Sequence, residues 1–396
     1  MRRLAVFLAI FSAFSCARAQ KQETLYELRA RVFNLARVQA VYMDSLLLSF
    51  RAESRNLCPR TFQGDTLVTS DIGWWTSGFY PGVLWQIYEE TGDPLFLRLA
   101  MRHTLPLADL LDRETDHDIG FQLMSSFGKM ARLCPPEYDT HCSVEPAGDE
   151  EISPEAVLDC GADILASRFL PEAGVIRSWN WGPWNIPVII DNMMNLELLK
   201  AWGHGDIADK HAVTTAQNHF REDGTVWHLV DYADNGTILG KQTVQGYADD
   251  TAWARGQAWA LYGYAMMAEY SHANPLYQRV AWKLEQWLLK NLPEDGIPYW
   301  DFSQSDYKDA SAGAIIACGL LKMWKLDGAE PDDPALAMAE RILRTLASPE
   351  YLAEPGTNGG FLLKHSVGNL PGGTEIDVPL TYADYYFLEA LTLLPH

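Results

Sequence analysis

Two kinds of helical segment alternate along the sequence. Segments of the first kind are amphipathic: apolar residues recur at helical spacing on one face, and charged residues such as Arg98 and Arg341 fall on the other. Most of them begin with a cap residue followed by proline in the first turn, as in Asp93-Pro94. We expect these helices at residues 25–52, 94–112, 153–170, 206–220, 275–290 and 334–347.

Segments of the second kind carry almost no charge, as in the run from Ala312 to Leu321. A helix that is apolar on every side belongs in the interior of a protein, so these segments predict inner helices. We expect them at residues 77–90, 119–132, 187–201, 251–270, 309–325 and 379–392. Alternating outer and inner helices predict an all-α fold, an (α/α)6 barrel of six helical hairpins, with an open α-solenoid as the alternative.

The amino-acid composition indicates the number of domains and excludes one class of binding partner. An apolar content of 48% over 396 residues supports one large core, and we expect a single domain over residues 20–396. Strands are expected only in loops, with a hairpin at residues 224–232 as the clearest case. The 52 acidic residues outnumber the 31 basic ones and give a net charge of −21, which argues against nucleic acid as a partner.

The N-terminus has the features of a targeting segment. Paired arginines, an apolar run and a small-x-small site predict a signal peptide over residues 1–19 and export to the periplasm, with a lipid anchor at Cys16 as the alternative. No later apolar stretch reaches the ~20 residues needed to span a bilayer. Cys134 and Cys142 bracket a proline-rich loop and are a candidate disulfide. No Cys/His spacing typical of zinc occurs, and we expect neither a metal nor another cofactor.

Acidic and aromatic side chains are concentrated just before the inner helices. In an (α/α)6 barrel the inner helices begin at one mouth, so these side chains should converge on one cavity. The segments are Asp71–Trp75, Asp116–Asp118, Trp179–Trp184, Gln245–Asp250, Tyr307–Asp309 and Thr374–Asp377. Indole faces beside hydrogen-bonding acids suit a sugar ring. A structural N-cap role is the alternative for Asp71, Asp250, Asp309 and Asp377.

Two acids have surroundings that favour chemistry. Asp191 is expected one turn inside a helix that begins at Pro187, among Val, Ile and Met residues. A carboxyl group in apolar surroundings has a raised pKa and is suited to donating a proton. Asp118 follows His117 and precedes an apolar run, which also favours a role in the site over a purely structural one.

Arg255 and Trp259 lie four residues apart and therefore share one face of an inner helix. An arginine on an otherwise uncharged helix needs an anionic partner, and a substrate carboxylate or a structural acid would serve equally. Trp253 and Gln245 come shortly before them. His228, on the predicted hairpin, either reaches the mouth or is a hydrogen-bonded loop residue.

Two further segments have two interpretations each. The glycine-rich loop at residues 359–369, which carries Lys364 and Ser366, fits either a wall of the cavity or a simple turn. A group of three indoles fits either the core or a platform for a sugar ring, and we expect a platform role for one of them. The three are Trp179, Trp181 and Trp184.

Several of these stretches together resemble the unsaturated glucuronyl hydrolases of glycoside hydrolase family 88. The matching stretches are Trp75–Gly82, His117–Phe121, Ile190–Leu196, Gln245–Trp259 and Asp377–Phe387. They follow in the expected order across nearly the whole mature chain, and the segment at residues 134–149 is the least familiar part. The family acts on oligosaccharides left by polysaccharide lyases, whose non-reducing end is a 4,5-unsaturated uronic acid. The resemblance therefore implies an unsaturated uronate oligosaccharide as the substrate.

The resemblance also implies an unusual reaction, in which the C4=C5 double bond is hydrated instead of the anomeric carbon being displaced. The position matching Asp191 protonates C4 and then assists attack of water at C5. Asp118 holds ring hydroxyls and supports that acid, and His228 places water or substrate. The residues implied or expected to contact the sugar are Trp75, His117, Gln245, Trp253, Arg255 and Trp259. No metal is implied, and Lys364, Ser366 and Asn369 are candidates for tolerance of sulfate.

Three other functions fit parts of the pattern. Unsaturated rhamnogalacturonyl hydrolases share the barrel and a similar acid pair, although the stretch from Gln245 to Trp259 favours the glucuronyl family. Sugar 2-epimerases on the same fold need paired histidine bases, for which His117 and His228 are the candidates. A glycan-binding protein without activity would keep the indoles but would not need Asp191. Sulfated glycosaminoglycan fragments and plant or algal uronides all present the same terminal ring.

Overall fold

The computed structural model describes residues 23–49, 57–135 and 153–395. The expected signal peptide with Cys16, and the Cys142 half of the candidate disulfide, lie outside these residues. In the described part of the chain, no helix has both the length and the apolar character required to cross a bilayer.

Helices make up most of the described chain. In chain order they are α1 (Leu25–Ser49), α2 (Phe79–Thr91), α3 (Pro94–Thr104) with a 3-10 turn at Leu105–Asp112, α4 (Ile119–Ser125), α5 (Phe127–Leu133), α6 (Pro154–Ser167), α7 (Asn192–Ala201), α8 (Gly205–Asn218), α9 (Ala254–Tyr270), α10 (Pro275–Asn291), α11 (Ala310–Leu326), α12 (Pro334–Leu346) and α13 (Thr381–Leu393). The outer helices are α1, α3, α6, α8, α10 and α12, and the inner layer consists of α2, α4 with α5, α7, α9, α11 and α13. This alternation matches the sequence prediction closely.

The starts of most outer helices are specified by the local sequence. Four of them start with a side chain that accepts a hydrogen bond from a backbone N–H in the first turn and is followed by proline. These caps are Asp93, Ser153, Asn274 and Asp333. Such caps satisfy N–H groups that have no partner inside the helix, and proline at the first position loses no hydrogen bond there.

The inner helices approach one another closely because glycine occupies the contact points. A Cβ atom at Gly263 would lie 2.6 Å from the Cβ of Met193 on α7, and one at Gly319 would lie 2.7 Å from Leu261 on α9. Helix α11 is buried at every residue from Ala310 to Leu321. The uncharged pattern of these segments therefore reflects helices surrounded by protein.

The inner helices form a closed ring. Each packs against the next in chain order, and the last, α13, packs against the first, α2. This closure confirms the (α/α)6 barrel and excludes the open solenoid, in which the terminal helices would not meet.

Short strands occupy the loops above the inner helices. They are β1 (Cys58–Gln63), β2 (Thr66–Ser70), β3 (Phe169–Leu170), β4 (Val175–Ile176), β5 (Ile186–Ile189), β6 (Leu229–Tyr232), β7 (Ile238–Gln242), β8 (Ser366–Asn369) and β9 (Thr374–Val378). All pairings are antiparallel: β1 with β2, β3 with β4, β8 with β9, and β5, β6 and β7 in one sheet of that order.

The predicted hairpin at residues 224–232 is misplaced. The chain reverses between β6 and β7, where the Ala233 N–H donates to Thr237 O at 2.8 Å and Gly236 has a φ of 81°. Gly236 supplies the left-handed backbone of this turn, and Asn235 Oδ1 accepts the Thr237 N–H at 3.1 Å. Residues 224–228 lead into β6, and Val226 forms an isolated antiparallel bridge with Phe220.

The prediction that a helix begins at Pro187 is also wrong. Residues Ile186–Ile189 form the edge strand β5, where β-branched side chains are favoured and the missing proline N–H is tolerated. The helix begins only at Asn192, and Asp191 is its N-cap residue, yet the Asp191 side chain makes no capping hydrogen bond. Its carboxyl group is therefore available to the space above the helix.

Candidate active site

A cleft of about 300 Å³ opens at the mouth where the inner helices begin. Its walls come from the segments that precede the inner helices and from the hairpins above them. The lining residues include Trp75, Asp116, His117, Asp118, Trp179, Trp181, Asp191, His228, Gln245, Arg255, Gly368 and Asn369, together with Arg60, Trp74 and Glu375. The structure thus brings together most of the site residues predicted from the sequence.

Asp191 lies at the floor of this cleft. Its residue is 8% exposed, and its Oδ2 atom is buried without a hydrogen-bond partner among the described residues. Burial raises the pKa of Asp191 from 3.8 to about 7, and the opposing effects of the Arg255 charge and the Trp259 indole do not overcome it. The group is therefore present in both protonated and ionised forms near neutral pH.

His228 faces the same carboxyl group. Its Nδ1 atom accepts the backbone N–H groups of Val244 at 3.1 Å and Gln245 at 3.3 Å, which assigns the ring proton to Nε2 in the neutral imidazole. Nε2 lies 3.8 Å from Asp191 Oδ2 and is buried without a hydrogen-bond partner in the described chain. Burial, with the nearby charge of Arg255, lowers the pKa of His228 to about 3. The imidazole is thus a neutral donor directed at the cleft.

A second acid and histidine, Asp118 and His117, also line the cleft. His117 Nε2 is 3.4 Å from Asp118 Oδ1, and Asn195 lies 3.3 Å from His117 Nδ1 while its own Oδ1 accepts the Phe121 N–H at 2.8 Å. Burial, followed by the charges of Asp116 and Asp191, raises the pKa of Asp118 well above its usual range. Burial lowers the pKa of His117 to about 3. This part of the cleft therefore also presents weakly acidic and neutral groups.

Arg255 has structural partners. Its Nη1 and Nη2 atoms donate to the backbone oxygens of Val367 at 2.5 Å and Gly368 at 2.6 Å, and Nη1 lies 3.6 Å from Asp309. Asp309 also caps α11, as the N-cap alternative predicted. Arg255 is 1% exposed but still lines the cleft, so its first role is to hold strand β8 against α9.

Three aromatic residues occupy different depths. Trp75 lines the cleft and packs against Tyr382 with ring centroids 4.8 Å apart. Trp253 lies behind the wall, with its ring 4.5 Å from that of His228. Trp259 is fully buried, and its indole lies beside Asp191. Trp253 and Trp259 therefore support the lining residues and do not belong to the cleft surface.

The three-indole group contains one exposed platform. Trp181 is 61% exposed and stacks on Trp179 with ring centroids 4.7 Å apart and planes within 13°. Trp184 meets both edge-on and donates its indole N–H to Gln242 at 3.0 Å. Trp181 thus presents a supported aromatic face at the rim, as expected for one member of the group.

The structure does not bring Lys364 to the cleft. Its Nζ donates to Pro349 O at 2.8 Å, and the residue lines a separate groove beside α1. Ser366 is fully buried in β8 and does not line the cleft either. The glycine-rich loop contributes Gly368 and Asn369 instead, and Gln245 donates to Gly368 O at 3.2 Å.

Several lining residues were missed as individual side chains, among them Asp116, Trp74, Glu375 and Arg60. Trp74 and Glu375 belong to segments that the sequence singled out, but no role was assigned to either. Arg60 was not recognised at all, because strand β1 was not predicted. The Thr66–Ser70 run is rich in β-branched residues, and this is the signal that would have indicated the hairpin.

Comparison with known proteins connects this geometry with a family. The chain matches no protein-family model. An unsaturated glucuronyl hydrolase of Formosa agariphila is 39% identical over 333 residues, which cover 80% of the chain and 79% of that relative. An unsaturated glucuronyl hydrolase of Bacillus sp. (strain GL1) is 34% identical over 349 residues, which cover 83% of the chain and 88% of that relative.

The fold leads to the same proteins. The crystal structure of an unsaturated glucuronyl hydrolase specific for heparin superposes with a TM-score of 0.81 at 37% sequence identity, covering 91% of the chain and 96% of that structure. Identity at this level over most of both chains, together with a shared barrel, identifies the relationship. The chain belongs to the unsaturated glucuronyl hydrolase family.

Proposed function

We propose that the cleft removes a 4,5-unsaturated glucuronic acid from the non-reducing end of oligosaccharides by adding water across the C4=C5 bond. One observation carries this proposal: Asp191, a buried carboxyl group whose pKa is raised to about 7, lines the cleft, and its Oδ2 atom has no hydrogen-bond partner in the described chain. A proton donor of this kind is suited to general acid chemistry near neutral pH. The names of the relatives at 39% and 34% identity support the same activity.

The reaction consumes one water molecule. Protonated Asp191 gives its proton to C4, and the positive charge that develops at C5 is shared with the ring oxygen. The Asp191 carboxylate then takes a proton from a water molecule as that water attacks C5, which regenerates the acid. The resulting hemiketal opens to a ketone at C5, and the hemiacetal left at C1 releases the second sugar as an alcohol.

His228 and Asp118 flank this acid in complementary ways. The neutral His228 Nε2–H donates toward the water or a ring hydroxyl, since its other nitrogen is held by backbone N–H groups. Asp118, which lines the cleft beside His117, accepts or donates to ring hydroxyls. Both groups are preorganised by the protein, so little reorganisation is needed when the substrate binds.

The decisive experiment compares an unsaturated glucuronyl disaccharide with its saturated counterpart. We expect loss of the absorbance of the conjugated carboxylate together with release of the second sugar, and no release from the saturated compound, because hydration requires the double bond. Equal cleavage of both compounds would contradict hydration and would indicate displacement at C1 instead. Consumption of unsaturated rhamnogalacturonides alone would overturn the glucuronyl assignment.

A further inference from the structure

A cluster of three residues lies at the rim of the cleft, outside the groups assigned to the reaction. It consists of Arg60 on β1, Glu375 on β9, and Trp74 in the loop between β2 and α2. All three residues line the cleft. The β1 hairpin is held in place by Thr61, whose hydroxyl donates to Pro379 O at 2.6 Å and whose backbone bridges Leu380. Two segments that are more than 300 residues apart in sequence are therefore locked together to form this rim.

Arg60 is held from two sides. Its Nε donates to Glu375 Oε1 at 2.5 Å, and its guanidinium carbon lies 4.0 Å from the centre of the Trp74 ring. Its two terminal NH2 groups have no hydrogen-bond partner in the described part of the chain, and its side chain remains 24% exposed. Trp74 is 36% exposed. The cluster thus presents hydrogen-bond donors and an aromatic face in fixed positions.

Glu375 connects this rim with the catalytic centre. Its backbone has a φ of 55°, a left-handed conformation that residues other than glycine rarely adopt. The side chain packs directly on Gly368, where a Cβ atom would collide with the Glu375 carboxylate. The carbonyl of the same Gly368 accepts from Arg255 at 2.6 Å and from Gln245 at 3.2 Å. A strained residue and a glycine therefore fix the carboxylate beside the site of reaction.

We infer that Arg60, Trp74 and Glu375 bind the sugar released by the reaction, and that they select an unsulfated sugar. A donor and an acceptor side by side match neighbouring hydroxyl groups, and an indole face matches the C–H face of a pyranose. This inference rests on the proposed function, since it assigns the second sugar of that substrate.

Charge supports selection against sulfate. The positive charge of Arg60 is already balanced by Glu375 at 2.5 Å, so an incoming sulfate would gain little attraction and would face the Glu375 carboxylate. Selectivity of this kind comes from repulsion of the wrong ligand as much as from contacts to the right one.

The test measures kcat/KM for an unsaturated glucuronyl–N-acetylhexosamine disaccharide with and without sulfate on the hexosamine. In Glu375→Gln, which keeps the shape but removes the charge, we expect the preference for the unsulfated compound to fall on the order of tenfold. In Arg60→Met we expect kcat/KM for the unsulfated disaccharide to fall by a similar factor. Glu89→Gln is the matched control, because Glu89 pairs with Arg132 away from the cleft, and its preference should equal that of the unaltered protein.

A methyl glycoside of the unsaturated uronate separates the two proposals, because it lacks a second sugar. We expect Glu375→Gln and Arg60→Met still to turn over this compound, which shows that they are folded, and their changes in kcat/KM to be larger with the disaccharides than with the methyl glycoside. Turnover of the methyl glycoside with an unchanged sulfate preference in Glu375→Gln would overturn the inference and leave the proposed function standing. Failure to process every unsaturated compound would overturn the proposed function, and the inference with it.

Discussion

The two ends of the barrel treat carboxyl groups differently. Toward the C-terminal ends of the inner helices, Tyr262 donates to Glu389 at 2.5 Å and Lys322 pairs with Glu269 at 2.6 Å. At the mouth, Asp191 Oδ2 is buried without a hydrogen-bond partner among the described residues, and the neutral His228 faces it at 3.8 Å. One end satisfies its acids with donors, and the other leaves an acid available.

This contrast shows that a raised pKa alone does not mark an active site. Burial raises the pKa of Asp384 to about 7, as it does for Asp191. Asp384, however, accepts the backbone N–H groups of Leu362 and Leu363, each at 2.8 Å, so its role is to hold a loop. The combination of a raised pKa, an unpartnered oxygen and access to a cleft distinguishes Asp191.

The largest expected effect comes from Asp191→Asn. The amide preserves the shape but cannot donate a proton to C4 or accept one from water, so we expect kcat to fall by about 10³-fold or more. Steady-state hydrolysis of an unsaturated glucuronyl disaccharide measures the change. Glu389→Gln at the other end of the barrel is the matched control and should leave kcat within a few-fold. Comparable losses in both variants would contradict the distinction between the two ends.

A smaller loss is expected from His228→Ala, on the order of 10² in kcat, because the neutral donor beside Asp191 is removed. His211 offers a control of the same residue type: burial lowers its pKa to about 3, its Nδ1 accepts the Ile176 N–H at 2.9 Å, and it does not line the cleft. His211→Ala should lower the free energy of unfolding while the folded enzyme keeps its kcat. Equal kcat for His228→Ala and the unaltered enzyme would remove His228 from the mechanism.

The pH profile is expected to have a basic limb. Asp191 must be protonated to act as the acid, and burial raises its pKa to about 7, so kcat/KM should fall about tenfold per pH unit above that value. His228 should not affect the pH dependence above about pH 5, because its pKa is lowered to about 3 and the imidazole stays neutral. Initial rates between pH 5 and about pH 9 test this, with circular dichroism at each pH as the control for folding. A flat profile above about pH 7 would exclude protonated Asp191 as the donor.

The helices were predictable because their signals are local. Asp93-Pro94 and Asp333-Pro334 specify their own helix starts, and the uncharged run in α11 specifies an inner helix. Strand β5 was mistaken for helix because its strand conformation depends on pairing with β6, more than 30 residues later. A pattern within one segment cannot reveal a partner of that kind.

The site was predictable to a similar extent and for similar reasons. Asp191 and His228 could be found because an acid among apolar residues and a histidine near the mouth are visible in the sequence. Lys364 was misplaced because His365, with a φ of 62°, turns the chain between Lys364 and the lining residue Gly368. Arg60 was missed because its position depends on the long-range bridge between Thr61 and Leu380.

The smallest expected effect is on the free energy of unfolding. Removing the charge should raise it at Asp191, whose Oδ2 has no hydrogen-bond partner in the described chain, and lower it at Asp231, which accepts hydrogen bonds. Because the pKa of Asp191 is raised in the folded protein, its contribution to the free energy of unfolding is complete below about pH 4 and is lost as the pH rises through about 7. The difference corresponds to at most about 4 kcal/mol, and the buried amide of Asn retains part of the cost, so Asp191→Asn should stabilise the fold by about 1–2 kcal/mol at pH 8 and very little at pH 4.

Urea unfolding at about pH 4 and pH 8 measures this difference. Asp231 provides the contrasting control, because its carboxylate accepts the backbone N–H groups of Asn185 and Ile186 at 3.0 Å and 2.9 Å. Asp231→Asn should therefore lower the free energy of unfolding, by about 1–3 kcal/mol. A destabilised Asp191→Asn at pH 8 would mean that Asp191 has a structural partner, and the contrast between the two ends of the barrel would then not hold. If Asp191→Asn is more stable at pH 8 but inactive, the unaltered protein has a lower free energy of unfolding because its active site keeps an unpaired acid for the substrate.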